Sequence, residues 1–143
     1  MRWWLLLLFK MPSEPSAVRV AAWRKLKRLG AILLNDATWI LPMTPWTREQ
    51  FQWLAAEIRE HSGEAMVWEA RLADQEDQSL ADQFLAQVDA SYREILAELE
   101  RDDAHLAALA RRYQQVQTID HLRSNLGTRV RDALLRSKER GAS

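Results

Sequence analysis

A short apolar run at the start of the chain limits the fold more than any other feature. Residues 3–9 are all apolar, Trp-Trp-Leu-Leu-Leu-Leu-Phe. Because successive side chains of a strand point to opposite faces, a strand here is apolar on both of them. The run is far shorter than the roughly 20 residues of a membrane helix, and no small-residue cleavage site follows it. We therefore expect a strand that is covered on both faces, and no membrane association.

Capping patterns and a glycine stop predict two helices in the first half. The first helix is expected from Ser16, its cap, to about Leu29, with Gly30 as its C-terminal stop. A capping-box pattern from Thr47 to Gln50 predicts that Thr47 caps the second helix. The first helix follows the first strand, and the second precedes the last strand of this half.

Three further strands are expected at residues 31–34, 38–41 and 66–72. Asn35, Asp36 and Ala37 join the first two in a hairpin, since Asn and Asp tolerate a positive φ. In the last strand, Met66, Trp68, Ala70 and Leu72 alternate with Val67, Glu69 and Arg71. That alternation predicts a strand with one buried and one wetter face.

The order strand, helix, strand, strand, helix, strand over residues 3–73 is that of a ferredoxin-like β-α-β-β-α-β domain. Apolar residues then recur at helical spacing from Leu80 to Leu122, and Asp102-Asp103 leaves open whether the helices at 78–116 are continuous. A turn is expected at 125–127, then Thr128 as the cap of a short helix at 129–138. The predicted fold class is α+β: a ferredoxin-like domain at 1–73, then a helical half at 74–143 that packs on it or on a partner chain.

The sequence contains no motif that is typical of an active site or a cofactor site. The chain has no cysteine, four scattered glycines and three histidines, none in a metal-ligand spacing. These counts exclude thiolate metal sites and Gly-rich phosphate loops, and no serine lies in a nucleophile-elbow pattern. We expect no catalytic, cofactor-binding or metal-binding residue, no enzyme activity, and a reducing, cytoplasmic setting.

Basic residues form two groups, although the net charge of the chain is zero. Arg24, Lys25, Lys27 and Arg28 lie on the first predicted helix, and Arg129, Arg131 and Arg136 lie near the C-terminus. Either group could bind phosphates or another oxyanion. The simpler interpretation, which charge alone favours, is a salt-bridged surface in which one basic group meets the acidic helix.

All seven tryptophans lie before residue 70. Most are expected in the core of a small domain, but tryptophan is also enriched at the centres of protein interfaces. Trp23 and Trp53 lie off the main apolar stripes of their helices, and Trp46 is expected in a loop. These three are the candidate interface residues.

Several segments resemble the N-terminal region of the chromate-resistance regulator ChrB. In the first half the resemblance covers residues 3–9 and 11–12, residues 21–31 (Ala-Ala-Trp-Arg-Lys-Leu-Lys-Arg-Leu-Gly-Ala) and residues 36–42 (Asp-Ala-Thr-Trp-Ile-Leu-Pro). In the helical half, residues 92–95 and 108–113 resemble the helical part of the same region. The same pattern is similar to the Cas2-like domain of PaaX-type repressors. The Cas2-like family has a nuclease Asp at the end of its first strand. This chain has Phe9-Lys10-Met11 there, so nuclease chemistry is not expected.

The resemblance implies a regulator linked to chromate resistance, with this region as the operator-binding or dimerising part. The predicted function is a non-enzymatic regulatory module, dimeric, that binds DNA through the two basic groups. A protein-interaction or structural module without DNA contact is the first alternative. A sensor of an oxyanion such as chromate is the second.

Overall fold

The computed structural model describes residues 2–13, 16–35 and 38–142. They belong to two units, Met1–Asp77 and Gln78–Ser143. In chain order, the first unit has β1 (Trp4–Lys10), α1 (Ser16–Arg28), β2 (Ile32–Leu34), β3 (Thr38–Pro42), α2 (Pro45–Glu60) and β4 (Glu64–Ala70). The second unit has α3 (Gln78–Leu99), α4 (Leu106–Ile119) and α5 (Asn125–Ala142). The fold class is therefore α+β, as predicted.

The four strands form one antiparallel sheet in the order β2-β3-β1-β4. The apolar β1 lies in the middle, where Leu6 is paired with Ile40 on one side and with Trp68 on the other. Leu5 and Leu7 share one face of β1 and are fully buried. Helix α2 packs on β1 and β4 and buries Phe51 and Ile58.

The opposite face of β1 is buried at one end. Trp4 is almost fully buried, and its indole Nε1 donates a hydrogen bond to Asp77 Oδ2 at 3.1 Å. The backbone N–H of Arg2 donates to the same oxygen at 2.9 Å. These two donors, the N–H of Arg2 first, hold the pKa of Asp77 below its ordinary value of 3.8. The chain that follows β4 is thereby tied back to the start of β1.

The hydrophobic alternation in β4 did not mark the buried face. Met66 and Trp68 are 53% and 51% exposed, whereas Ala65 is buried on the other side of the strand. The register explains the difference, since Trp68 pairs with Leu6 and Met66 with Leu8. These partners are themselves only half-buried.

Helix α1 ends where the glycine predicts. Gly30 has φ 80, and the N–H of Ala31 bonds to the carbonyl of Leu26, closing the helix end. Asn35 enters the following turn with φ 49, as expected for asparagine. Asp36 and Ala37, the rest of that predicted turn, lie outside the described residues, as does the side chain of Ser16.

The predicted start of α2 is wrong by three residues. Thr44 is the N-cap, and its hydroxyl accepts from Thr47 N, while the Thr47 hydroxyl accepts from Thr44 N. Thr47 is therefore the N3 member of the capping box and not its cap. Pro45 occupies the first helical position, where its fixed φ is favourable. Trp46 accordingly lies in the first turn of α2 and not in a loop.

The structure fixes the bounds of the three helices in the second unit. The structure divides residues 78–119 into α3 and α4, so those helices are not continuous. Helix α5 already begins at Asn125, and the expected turn at 125–127 and the cap at Thr128 are wrong. Gly127 lies in the first turn of α5, where a Cβ would lie 3.0 Å from the hydroxyl of Tyr92. The small residue serves helix packing and not a turn.

Candidate nucleic-acid interface

The outer face of α1 carries the first predicted set of basic residues. Residues of a helix are rotated by about 100° from one to the next, so Ala22, Leu26 and Leu29 form one stripe. All three are buried. Arg24 and Arg28, four residues apart, lie on the other side of the helix and are exposed, as is Lys27. The buried stripe therefore fixes three cations toward solvent.

The four cations of α1 differ in their partners. Lys25 is only partly exposed, and its Nζ lies 3.7 Å from Glu57 Oε1 on α2. The Nζ of Lys27 lies 5.7 Å from the ring centroid of Trp23, a cation–π contact one helical turn away. Among the described residues no ion pair is found for Arg24 or Arg28. Lys25 is thus engaged within the fold, and the other three are available to an anionic partner.

Part of this charge stabilises the helix itself. Lys25, Lys27 and Arg28 lie in the last turn of α1, where a cation interacts favourably with the helix dipole. Arg24 lies outside that turn and makes no such contribution. Trp23 is 53% exposed on the same side of the helix. On such a surface the three cations can contact phosphates, and the aromatic ring can contact sugars or bases.

The other two candidate tryptophans belong to a different surface. Trp46 and Trp53 are 45% and 62% exposed and lie seven residues apart on α2, so they share one stripe. Glu49 and Glu60 lie within about 60° of that stripe by the same helical geometry. We call these four residues the α2 stripe. It is acidic, whereas the face of α1 that holds Trp23 is basic.

Sequence reasoning missed two further exposed aromatic positions. Trp68 lies on the open face of β4, and Trp3 lies beneath the guanidinium of Arg71, with 5.1 Å between the Arg71 Cζ and the ring centroid. Neither was singled out, because an apolar residue in a strand is normally counted toward the core. Only the register of β4 on β1 could have indicated the exposure of Trp68.

The second basic set is divided between two sides of α5. Arg129 and Arg136 are seven residues apart, and both line a cleft of about 940 Å³ with Arg101 and Arg140. Arg131 is rotated by about 200° from Arg129, faces other clefts, and lies 3.6 Å from Asp132. The structure therefore brings Arg129 and Arg136 together and leaves Arg131 apart from them.

A partly buried hydrogen-bond network links α3 to the start of α5. The hydroxyl of Tyr92 on α3 donates to Asp120 Oδ2 at 2.8 Å and accepts from Gln117 Nε2 at 2.7 Å. Asp120 in turn accepts from the backbone N–H of Ser124, whose hydroxyl accepts from Leu126 N in the first turn of α5. Burial raises the pKa of Tyr92 above its ordinary value of 10.0, and the Asp120 carboxylate adds to this shift.

Comparison with known proteins identifies the family. A family model described as "Protein ChrB, N-terminal" matches residues 19–113. Over 120 residues the chain is 32% identical to Protein ChrB of Cupriavidus metallidurans, in an alignment that covers 77% of this chain and 36% of that protein. The chain belongs to the ChrB N-terminal family. It spans about a third of the length of that relative, and no solved structure matches it.

The family match includes the basic face of α1 and stops before α5. Residues 19–113 contain Arg24, Lys27 and Arg28, as well as the α2 stripe, whereas Arg129 and Arg136 lie beyond the match. The predicted resemblance to the N-terminal region of ChrB is thereby confirmed. Of the helices that the structure describes, none is long and apolar enough to cross a membrane.

Proposed function

We propose that this ChrB-family chain is a non-enzymatic, cytoplasmic regulatory module of the chromate-resistance type that binds DNA through the outer face of α1. The observation that carries the proposal is the exposed group of Arg24, Lys27 and Arg28 beside Trp23. Lys25 contributes less, because Glu57 already pairs with it. Phosphate contacts of this kind supply most of the affinity of a DNA-binding protein and make it depend on salt.

We also propose that the first unit is a ferredoxin-like domain. The strand order β2-β3-β1-β4, with a helix after β1 and another after β3, supports that assignment. In this arrangement α1 and α2 lie side by side, as the pair between Lys25 and Glu57 indicates. The basic face of α1 then belongs to a helix anchored in the core of the domain by its buried Ala22, Leu26 and Leu29.

The test is DNA binding by the purified full chain. Fluorescence anisotropy is measured with a labelled duplex from upstream of the gene and with a mixed-sequence duplex, from low to moderate salt. In the triple variant R24A/K27A/R28A, the slope of log K against log salt should become shallower by about 2.7, or 0.9 for each lost phosphate contact. Binding of both duplexes should weaken.

The matched control removes three exposed cations from other surfaces. R93A/R111A/K138A also removes three positive charges, so the net charge changes by the same amount. All three side chains are exposed and lie outside α1. It should leave the slope close to that of the wild type. Equal slopes for the two triple variants, or no binding by the wild-type chain, would refute the role of α1.

A protein-interaction module is the second candidate, and the α2 stripe favours it. Two tryptophans exposed along one helix stripe form a surface of the kind that interfaces bury. The proposed dimer would use this surface, with Trp23 left to the α1 face. Sedimentation analysis of W46A/W53A against the wild type tests it. An unchanged distribution of species, or a wild type that is monomeric at micromolar concentration, would exclude the dimer.

A further inference from the structure

One cleft in the second unit has three arginines along its α5 wall. Arg129, Arg136 and Arg140 lie on one stripe of α5, spaced by seven and four residues, and all line the cleft. At 1.5 Å per residue they form a row about 16 Å long. Arg101, from the turn after α3, lines the same cleft, whose floor includes Leu96, Leu99 and Ala133.

The opposite wall is mixed in charge, which determines where an anion can lie. Glu100 and Asp102 line the cleft at the end of α3. There Arg101 is already paired with Asp103, at 3.3 Å between Nε and Oδ1. On the α5 wall, no ion pair is found for Arg129 or Arg136 in the part of the chain that the structure describes. Asp132, an acid of α5 that also lines the cleft, is already paired with Arg131 at 3.6 Å. A bound anion is therefore attracted to the α5 wall and repelled by the carboxylates at the end of α3.

The shape of the row selects an extended anion over a compact one. A single tetrahedral anion contacts side chains about 3 Å from its oxygens, so it cannot satisfy a row of this length. A cleft of about 940 Å³ is also at the upper end for small-molecule sites. A chain of phosphate groups, each met by one guanidinium, matches both the length and the charge.

We infer that the α5 wall of this cleft is a second contact for the nucleic-acid backbone, formed by Arg129, Arg136 and Arg140 and without Arg131. This inference rests on the proposed DNA-binding function and adds Arg140 to the residues that carry it. The contact is made to phosphates and is independent of base sequence. It lies in the unit that does not contain α1.

The experiment compares two double variants on the same helix. R129A/R136A removes two cations of the cleft, and R131A/K138A removes two exposed cations from the other side of α5, neither of which lines the cleft. Both are measured by anisotropy with a labelled 20-base-pair duplex of mixed sequence across a salt series. The cleft variant should lose about 1.8 from the salt slope, and the control should keep the wild-type slope. Circular dichroism spectra of both should match the wild type, since these side chains are exposed.

Removal of an acid provides a second test with the opposite sign. D102N removes one carboxylate from the cleft, so the affinity of this variant for the duplex should be higher than that of the wild type. E139Q removes one exposed acid from α5 outside the cleft and should raise affinity less. Equal increases would point to net charge alone and would count against the cleft.

The outcomes separate this inference from the proposed function. If the wild-type chain binds no DNA, both are wrong. If R24A/K27A/R28A weakens binding while R129A/R136A behaves like R131A/K138A, the α1 proposal stands and the cleft contact is refuted. A thermal stabilisation by inorganic phosphate that R129A/R136A abolishes, with the salt slope for DNA unchanged, would assign the cleft to a compact anion and overturn the inference.

Discussion

Replacing Tyr92 with phenylalanine should destabilise the second unit by about 2 kcal/mol. The side chain is fully buried in the cluster of Val88, Ile95, Leu109 and Val130, and phenylalanine keeps its volume, so no cavity forms. The change removes only the hydroxyl and the hydrogen bonds it makes.

The magnitude follows from what each partner does afterwards. The bond from Tyr92 to the Asp120 carboxylate is of the charged type, worth about 1.5–3 kcal/mol. Asp120 keeps its bonds from the N–H of Ser124, which reduces the penalty. Gln117 is exposed and can turn its amide to water, so its lost bond adds little. The sum is about 2 kcal/mol, toward the lower part of that range.

The assay is urea unfolding followed by two probes. Far-UV circular dichroism is weighted toward the second unit, because α3, α4 and α5 have 22, 14 and 18 residues against 13 and 16 for α1 and α2. Tryptophan fluorescence reports on the first unit alone, since all seven tryptophans precede residue 70. At an m-value of about 2 kcal/mol/M, the dichroism midpoint of Y92F should fall by about 1 M.

The control is Y113F, because no hydrogen bond of the Tyr113 hydroxyl is found within the described residues. Its midpoint should move by less than about 0.3 M, since no buried polar partner is lost. Equal shifts for Y92F and Y113F would refute the reasoning, because the loss would then come from the phenol in general and not from the network.

The raised pKa of Tyr92 adds a pH signature to this comparison. A hydroxyl whose pKa is higher in the folded state stabilises the protein fully below the unfolded value of 10.0. As the pH rises above 10.0, the unfolded chain ionises first and that contribution declines. The difference in unfolding free energy between wild type and Y92F should therefore shrink from pH 9 to pH 11. A difference that stays constant over this interval would contradict the linkage.

Three further perturbations test the first unit by the urea midpoint of tryptophan fluorescence. G63A should lower the free energy of unfolding by about 1–3 kcal/mol, because a Cβ there would lie 2.6 Å from a side-chain carbon of α2. G141A, in α5 of the second unit with nothing within 4 Å of its Cβ, should leave the dichroism midpoint almost unchanged. T44A should cost about 1 kcal/mol through loss of the N-cap of α2, and a change below about 0.3 kcal/mol would refute that cap. Because the pKa of Asp77 is lowered in the folded state, its contribution to the free energy of unfolding is present above pH 3.8 and is lost as the pH falls through the folded value. In a plot of stability against pH, D77N should therefore flatten the acid end more than D74N.

Local signals predicted the elements well wherever a residue acts on its own neighbours. Gly30 ends α1 because glycine adopts a positive φ without steric cost, and the apolar run at residues 3–9 supplies most of β1, one of the two inner strands. The start of α2 was misplaced because two threonines, Thr44 and Thr47, both fit a cap. Pro45, which follows the true cap, was the local signal that distinguishes them.

Distant contacts account for the misassigned positions. Gly127 resembles a turn residue by type, but its role depends on Tyr92, thirty-five positions earlier in the chain. The exposure of Met66 and Trp68 likewise depends on the register of β4 against β1. In the candidate interface, helical spacing alone grouped Arg24 with Arg28 and could have separated Arg131 from Arg129. The pairing of Lys25 with Glu57 needed the packing of α1 against α2.

The opposite charges of the two helix faces in the first unit make DNA binding and protein interaction compatible proposals. A duplex is attracted by Arg24, Lys27 and Arg28 on α1 and repelled by Glu49 and Glu60 on the α2 stripe. The tryptophans of that stripe would then remain free of DNA when α1 is occupied. It follows that W46A/W53A should alter self-association without changing the salt slope, whereas R24A/K27A/R28A should do the reverse. If either variant changed both properties together, one surface would have to serve both partners, and the separation by charge argued from α1 and α2 would be wrong.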